Sequence, residues 1–185
     1  GTASGMTDSK LPDGQAGAEK ALNHALVGNA GANMIYESAG MHASLLGFSL
    51  ESLVIDNDII GATQRTIKGI EVNDERLSFE TIKDVCLNGP GHFLGSDQTS
   101  QLMQTEYMYP GVGDRKSPNE WNEQGALDVA QRAMAKVEEV LGHHFPSHVA
   151  EAVDAEIRRR FPVKLDRAHM LPPVDSAAAR RVGSR

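Results

Sequence analysis

DSKLPDGQAGAEKALNHALVGNAGANMIYESAG, residues 8–40, is the stretch whose reading decides the fold. Pro12 has a fixed φ, and Asp13 stands where an N-cap carboxylate accepts from free helix amides. A helix is therefore expected from Gly14 to Asn29, with Ala18, Ala21, Leu22, Ala25 and Leu26 on one apolar face at i, i+3, i+4, i+7 and i+8. Gly31 supplies a stop. Ala32–Tyr36 then reads as a short buried strand, and Glu37–Gly40 as its polar exit loop. With residues 1–13 as the end of an earlier strand and a long loop, this is most of a βαβ unit.

Beyond Gly40 helices dominate the pattern. Met41–Gly47 reads as a loop or short helix of small residues, and Ser49 as the cap of a turn. Asp58 is expected to cap a helix reaching Lys68, with Ile59, Ile60, Thr63 and Ile67 on one face. Shorter helices follow over Leu77–Leu87, with Ser78 as N-cap, and over Asp97–Glu106. Ser117-Pro118-Asn119-Glu120 is a capping box with proline at the first helical position. The helix it starts bends at Gly125 and continues through Ala130, Val137 and Leu141. A last helix runs from Ser147 to Phe161, with Val149, Val153, Ile157 and Phe161 spaced by four, and Arg158–Arg160 at the end its dipole favours. A mobile tail is expected over 166–185. Two parallel strands leave both faces uncovered, so the chain reads as the C-terminal part of something larger.

Composition narrows the function classes. The 185 residues carry a net charge of -7, 40% hydrophobic, 23% charged and 5% aromatic residues. A basic footprint and base-stacking platforms are missing, which argues against nucleic acid. No apolar run has the length of a membrane span and no signal-peptide pattern is present, so no membrane association is expected. The single cysteine, Cys86, fits a reducing, cytoplasmic setting and reads as a small buried hydrophobe. His143, His144 and His148 lack a carboxylate or thiol cluster and read as a helix end, so no metal is expected on this chain.

Five blocks in order carry a resemblance: Asp8–Lys20; Gly31–Tyr36 with Ala39-Gly40-Met41; Gly91-His92-Phe93-Leu94-Gly95; Glu106-Tyr107-Met108-Tyr109-Pro110 with Asp114-Arg115; and Trp121 with Gly125 and Asp128. Together they resemble the C-terminal part of the trimethylamine methyltransferase family, over residues 1 to about 165. The resemblance implies an α/β fold: residues 1–75 as the last strand–helix units of a TIM (β/α)8 barrel, and 76–165 as a helical C-terminal extension. It also implies transfer of a methyl group from trimethylamine, or a quaternary amine such as glycine betaine, to the cobalt of a corrinoid (cobalamin) held by a cognate corrinoid protein. Implied partners are that protein, the methylated amine, the N-terminal remainder of the barrel, and further copies in a homo-oligomer. One branch of the family carries pyrrolysine. None occurs in these residues, so the branch is not assigned here.

In such a barrel, chemistry collects where strands end and loops begin. Two such places exist. The first offers Ser4 and Asp8 as substrate-binding residues, since a carboxylate attracts a methylammonium cation. Asp8 and Asp13 are equally suited to bonding loop and cap amides, and Lys10 to pairing with a nearby carboxylate. The second offers Glu37 and His42 as catalytic residues, the histidine as a proton carrier or a structural hydrogen-bonder. Tyr36, Met41 and Phe48 complete the substrate-binding set, the two rings as a cation–π face or as packing. His92 and Tyr107–Tyr109 read as fixing the extension or as facing the corrinoid partner. Two other classes stay open: a non-catalytic accessory or truncated chain scaffolding such a complex, and an unrelated barrel enzyme such as a lyase.

Overall fold

The structure, a computed structural model, describes residues 1–145 and 148–172. Strand β1 (Thr2–Ala3) leads through a long loop into helix α1 (Gly14–Asn29) and back to β2 (Ile35–Tyr36). β1 and β2 pair in parallel, Thr2 with Ile35 and Ala3 with Tyr36. The helix begins where the sequence places it, with the Asp13 carboxylate accepting from the Ala16 amide. It ends before Gly31, whose φ of +88° suits glycine.

The buried face of α1 is not the one its periodicity suggests. Leu22 and Leu26 are 60% and 62% exposed, while Ala16, Lys20, His24 and Gly28 are buried. That second stripe, at strict i+4 spacing, packs against α2 (Leu50–Lys68). Gly28 permits the approach, because a β-carbon there would stand 2.5 Å from Ile67 Cδ1. Lys20 is admitted to the seam because α2 brings Asp56 to it.

Residues 41–48, expected as a loop or short helix, form an antiparallel hairpin. β3 (Met41–His42) pairs with β4 (Gly47–Phe48). Its tip runs through Ala43, Ser44 and Leu45 at φ of +50°, +55° and +72°. Helix α2 starts nine residues earlier than expected, because Ser49 accepts from the Ser52 amide and caps it. Asp58 therefore lies inside the helix. Its carboxylate accepts instead from three successive amides, Gly111 at 2.7 Å, Val112 at 2.8 Å and Gly113 at 3.0 Å.

The helix expected over 77–87 arrives as α3 (Asp74–Leu77) and α4 (Phe79–Leu87). Ser78 sits between them at φ +58° and its hydroxyl donates back to the Arg76 carbonyl, so it forms no side-chain cap. Cys86, expected to be buried, is exposed on α4, because Val85 is the residue that α4 turns inward. After α5 (Asp97–Thr105), the segment 106–113 lies along α2 as a strap. Glu106 bridges Arg65, Lys68 and Arg76 at 2.8, 3.1 and 3.0 Å. Met108 fills the notch left at Gly61, where a β-carbon would stand 2.8 Å from its Cε. Tyr107 and Tyr109 alternate outward, exposed and stacked at 6.3 Å.

Helix α6 (Pro118–Glu123) carries the complete capping box between Ser117 and Glu120. Gly125 and Ala126 follow at φ +93° and +52°, so the chain breaks there rather than bending, and α7 (Val129–His143) is a separate helix. By contact density the chain divides into two compact units, Gly1–Met134 and Ala135–Arg185. Within the second, α8 (Glu151–Arg160) is held by ion pairs: Asp154 takes Arg158 and Arg167, and Glu156 takes Arg159 and Arg160. Arg167–Met170 forms a single 3-10 turn. The expected helix start at Ser147 and the tail over 173–185 fall outside the described residues. Among those described, no helix is long and apolar enough to cross a membrane.

Candidate functional site

Parallel pairing of β1 with β2 puts their two exit loops next to each other. The Ser4 amide donates to the Tyr36 carbonyl at 3.3 Å, so Ser4 and Glu37 are the first residues beyond each strand on the same edge. Both sequence-derived clusters, residues 4–10 and 36–48, thus meet in one region. Three stretches hold it together.

The first is the loop after β1. Ser4 is 3% exposed, and its hydroxyl has no hydrogen-bond partner among the described residues. Gly5, at φ +89°, lies so close to His24 and the Ser38 carbonyl that a β-carbon would come within 2.5 Å of both. The Glu19 carboxylate then gathers the loop onto α1. It accepts from the Thr7 hydroxyl at 2.5 Å, the Asp8 amide at 3.0 Å and, on its other oxygen, Gln15 at 2.8 Å. The Thr7 hydroxyl, followed by Gln15, holds the Glu19 carboxyl below the usual carboxylate range. Asp8 takes the Ser44 hydroxyl at 2.5 Å, which ties the loop to the hairpin tip. Lys10 reaches the Asp8 carbonyl rather than a carboxylate. Asp13 acts as a cap, its carboxyl also held low by the Ala16 amide and the Ser9 hydroxyl.

The second stretch is the loop after β2. Tyr36 is half-exposed and Glu37 exposed, with Glu37 at φ +59°. Ser38 gives its carbonyl to His24 Nε2 at 2.9 Å. Gly40, at φ +79°, donates its amide to Asp56 Oδ2 at 2.7 Å and accepts at its carbonyl from Ser49 at 3.0 Å. The Phe48 ring, itself 57% exposed, seats on Gly40 so closely that a β-carbon would meet Cε2 at 2.3 Å.

The third is the hairpin and the start of α2. Met41 is half-buried, and His42 is 4% exposed. Its Nδ1 lies 3.1 Å from the Ser9 carbonyl, which only accepts, so that nitrogen carries the proton. Nε2 then accepts from the Ser52 hydroxyl, at 2.5 Å. Both ring nitrogens are therefore used inside the chain, holding the hairpin to the loop and to α2.

The residues that sequence reasoning missed are Lys20, His24, Ser52 and Asp56. Lys20 Nζ meets Asp56 Oδ2 at 2.6 Å, with the two side chains 1% and 2% exposed. The signal was present in part: Ala16, Lys20, His24 and Gly28 form an i+4 stripe of small and polar residues. Its partner, 36 residues away, was not legible. Among the described residues no three metal-ligating side chains cluster. The two exit loops and the hairpin thus carry an exposed carboxylate, Glu37, two exposed aromatic rings, Tyr36 and Phe48, and the buried Ser4 hydroxyl.

Comparison with known proteins gives a consistent set of likenesses. The sequence model of the trimethylamine methyltransferase family (MTTB) matches residues 1–165. Trimethylamine methyltransferase MttB1 of Methanosarcina acetivorans is 40% identical over 162 residues, which cover 88% of this chain and 31% of the relative. Trimethylamine methyltransferase MttB of Desulfitobacterium hafniense is 35% identical over 156 residues, 84% of this chain and 31% of the relative. Glycine betaine methyltransferase of Desulfitobacterium hafniense strain Y51 is 28% identical over 155 residues, 83% of this chain and 32% of the relative. The chain spans about a third of the length of these relatives.

Proposed function

The chain belongs to the trimethylamine methyltransferase family, and we propose from this that the complete enzyme moves a methyl group from a methylated amine to the cobalt of a corrinoid protein. The β1–α1–β2 unit is read as part of a (β/α)8 barrel, with the exit loops of both strands at its catalytic end. The observation that carries the reading is the meeting of residues 4–10 with 36–48 beside a parallel strand pair, inside a segment that matches the family from residue 1 to 165.

A corrinoid held by a partner fits the residues present better than one held here. Of the two buried imidazoles of this region, His42 spends both nitrogens on Ser9 and Ser52, leaving no donor for cobalt, and His24 spends Nε2 on the Ser38 carbonyl. The corrinoid supplies the nucleophile. This chain supplies a place for the cation. The methyl group leaves without its bonding electrons, which stay on nitrogen, so the amine departs neutral and the transfer itself takes no proton from this chain.

On that stoichiometry Glu37 is read as a group that binds the cation and transfers no proton. A carboxylate about 4 Å from the cation is worth roughly 4 kcal/mol at an effective dielectric of 20. The attraction fades as nitrogen loses its charge in the transition state, so it favours binding over the chemical step. Tyr36 and Phe48 offer ring faces to the methyl groups, and such contacts contribute about 0.5–2 kcal/mol each. Ser4 contributes the unpartnered hydroxyl and Met41 a polarisable wall. His42 keeps the loops in register around the bound amine. Asp8, engaged with Ser44, orders the loop.

The test mixes the complete enzyme with its corrinoid protein in the reduced state. Trimethylamine and glycine betaine are added separately, and methylation of the corrinoid is followed by absorbance. Methylation by one of the two, with a KM that rises about tenfold or more in Glu37→Gln while kcat does not fall, is the expected result. No methylation by either overturns the reading.

A further inference from the structure

The buried pair between α1 and α2 does more than its charges require. Replacing a buried ion pair with apolar residues of similar volume is often neutral or stabilising, so cohesion of the two helices gives no reason for Lys20 and Asp56 to be charged. The reason lies on the third partner. Asp56 Oδ2 is shared between Lys20 Nζ at 2.6 Å and the Gly40 amide at 2.7 Å. An apolar pair would keep the helices together and leave that amide buried with no acceptor.

Gly40 is held on every side. Its carbonyl accepts from Ser49, its α-carbon lies under the Phe48 ring, and its φ of +79° suits glycine. Two residues earlier the Ser38 carbonyl is gripped by His24, one turn along α1 from Lys20. The loop 37–40 is thereby pinned at its second and fourth residues by one polar stripe of α1 and one carboxylate of α2. Its first residue, Glu37, projects from this platform with its backbone in the left-handed region.

We propose that Lys20, Asp56 and His24 are positioning residues that set the direction of the Glu37 carboxylate toward the methylammonium group. Lys20 holds the Asp56 carboxylate in place, Asp56 fixes the Gly40 peptide, and His24 fixes Ser38. None of the three touches the amine. The proposal rests on the reading of Glu37 as the cation-binding carboxylate, and deepens it by naming what orients that group.

The experiment uses the complete enzyme carrying two double variants. K20M/D56N removes both charges and keeps an amide oxygen for the Gly40 amide, whereas K20M/D56L removes the acceptor as well. Expected for K20M/D56L are a melting temperature within a few degrees of wild type, faster hydrogen exchange at Gly40, and a KM for the methylated amine raised about tenfold with kcat nearly unchanged. K20M/D56N is expected to restore both exchange protection and KM. In a Glu37→Gln background the effect of K20M/D56L on KM should vanish, a coupling that a purely structural role would not produce. Should K20M/D56L fail to fold, His24→Met against His24→Gln, each with and without Glu37→Gln, reads the same coupling. Unchanged exchange at Gly40, or a KM effect that persists without the Glu37 carboxylate, overturns the proposal. Inactivity of the wild type toward both amines overturns the substrate reading and the Glu37 half of this one. Gly40 exchange still decides whether the pair holds the loop.

Discussion

Asp56 and Asp58 stand two residues apart on α2, which turns them about 200° apart around the helix, and the two faces solve the same problem differently. Asp56 faces the α1 seam, is 1% exposed, and is matched by the Lys20 charge and one amide. Asp58 faces the strap, is half-buried, and is matched by a row of three amides with no cation among the described residues. Two to three turns further on, Glu106 of the strap meets Arg65 and Lys68, joined by Arg76 from α3. The contrast teaches where water is allowed. In the seam a charge needs a counter-charge, because no solvent can replace one. On the strap side, amide dipoles and partly exposed cations suffice.

The largest effect should come from breaking the seam. Asp56→Ala leaves an uncompensated buried ammonium and an unpaired amide, and is expected to cost about 3–5 kcal/mol of stability in denaturant unfolding. The loss should be nearly independent of salt, since the pair is shielded from mobile ions. A cost under about 1 kcal/mol would show that the seam is wetter than described. Gly40→Ala comes next, at about 1–3 kcal/mol, because it places a methyl group into the Phe48 ring at φ +79°. Thermal unfolding measures it, and Phe48→Ala in the same chain should recover part of the loss.

On the strap side the expected effects shrink. Asp58→Ala frees three amides that water can reach, so it should cost about 1–2 kcal/mol and speed exchange at Gly111–Gly113 while leaving Gly40 protected. Glu106 gives a pH signature. Its carboxyl is held below its ordinary value of 4.5 by the Lys68 hydrogen bond first, then by the charges of Lys68, Arg76 and Arg65. A lowered folded-state value means the stabilisation is fully present above about pH 4.5 and is lost as pH falls through the lower value. Limited proteolysis of the strap should therefore accelerate below that pH and in high salt, and should lose both dependences in Glu106→Gln. Smallest of all, Lys68→Ala should move the unfolding midpoint by no more than about 1–2 °C, since its side chain is 57% exposed.

What could be read from the sequence followed the range of the interactions. The start of α1 at Asp13 and the capping box at Ser117–Glu120 were legible because cap and amide are three residues apart. The stop at Gly31 was legible for the same reason. The face of α1 was not. Counting apolar residues selected Leu22 and Leu26, whereas the buried stripe holds Lys20 and His24, made acceptable by Asp56 and Ser38, 36 and 14 residues away. Asp58 looked like a cap because aspartate is a good cap. Its actual donors lie more than fifty residues on, at Gly111–Gly113. At the site, the nearness of the two exit loops was legible only through the barrel that the family resemblance implies, not from the residues of the loops themselves. That both nitrogens of His42 serve the fold was foreseen only as one of two alternatives, since the choice depends on Ser9 and Ser52 arriving together.

The hairpin tip has a mechanical side. Ala43, Ser44 and Leu45 all sit in backbone territory that glycine occupies freely and that costs side-chain-bearing residues of order 1–3 kcal/mol each. Their amides are latched by two carbonyls across the gap, Ala43 to Ser9 and Ser44 to Thr7, at 3.0 and 3.2 Å. The tip is thus a cocked spring with a two-pin catch, and its shape is set by the catch rather than by the spring. Shifting Thr7 and Ser9 releases the tip, and glycines at 43–45 would unload it, giving a hairpin that no longer pushes back on the loop it leans against.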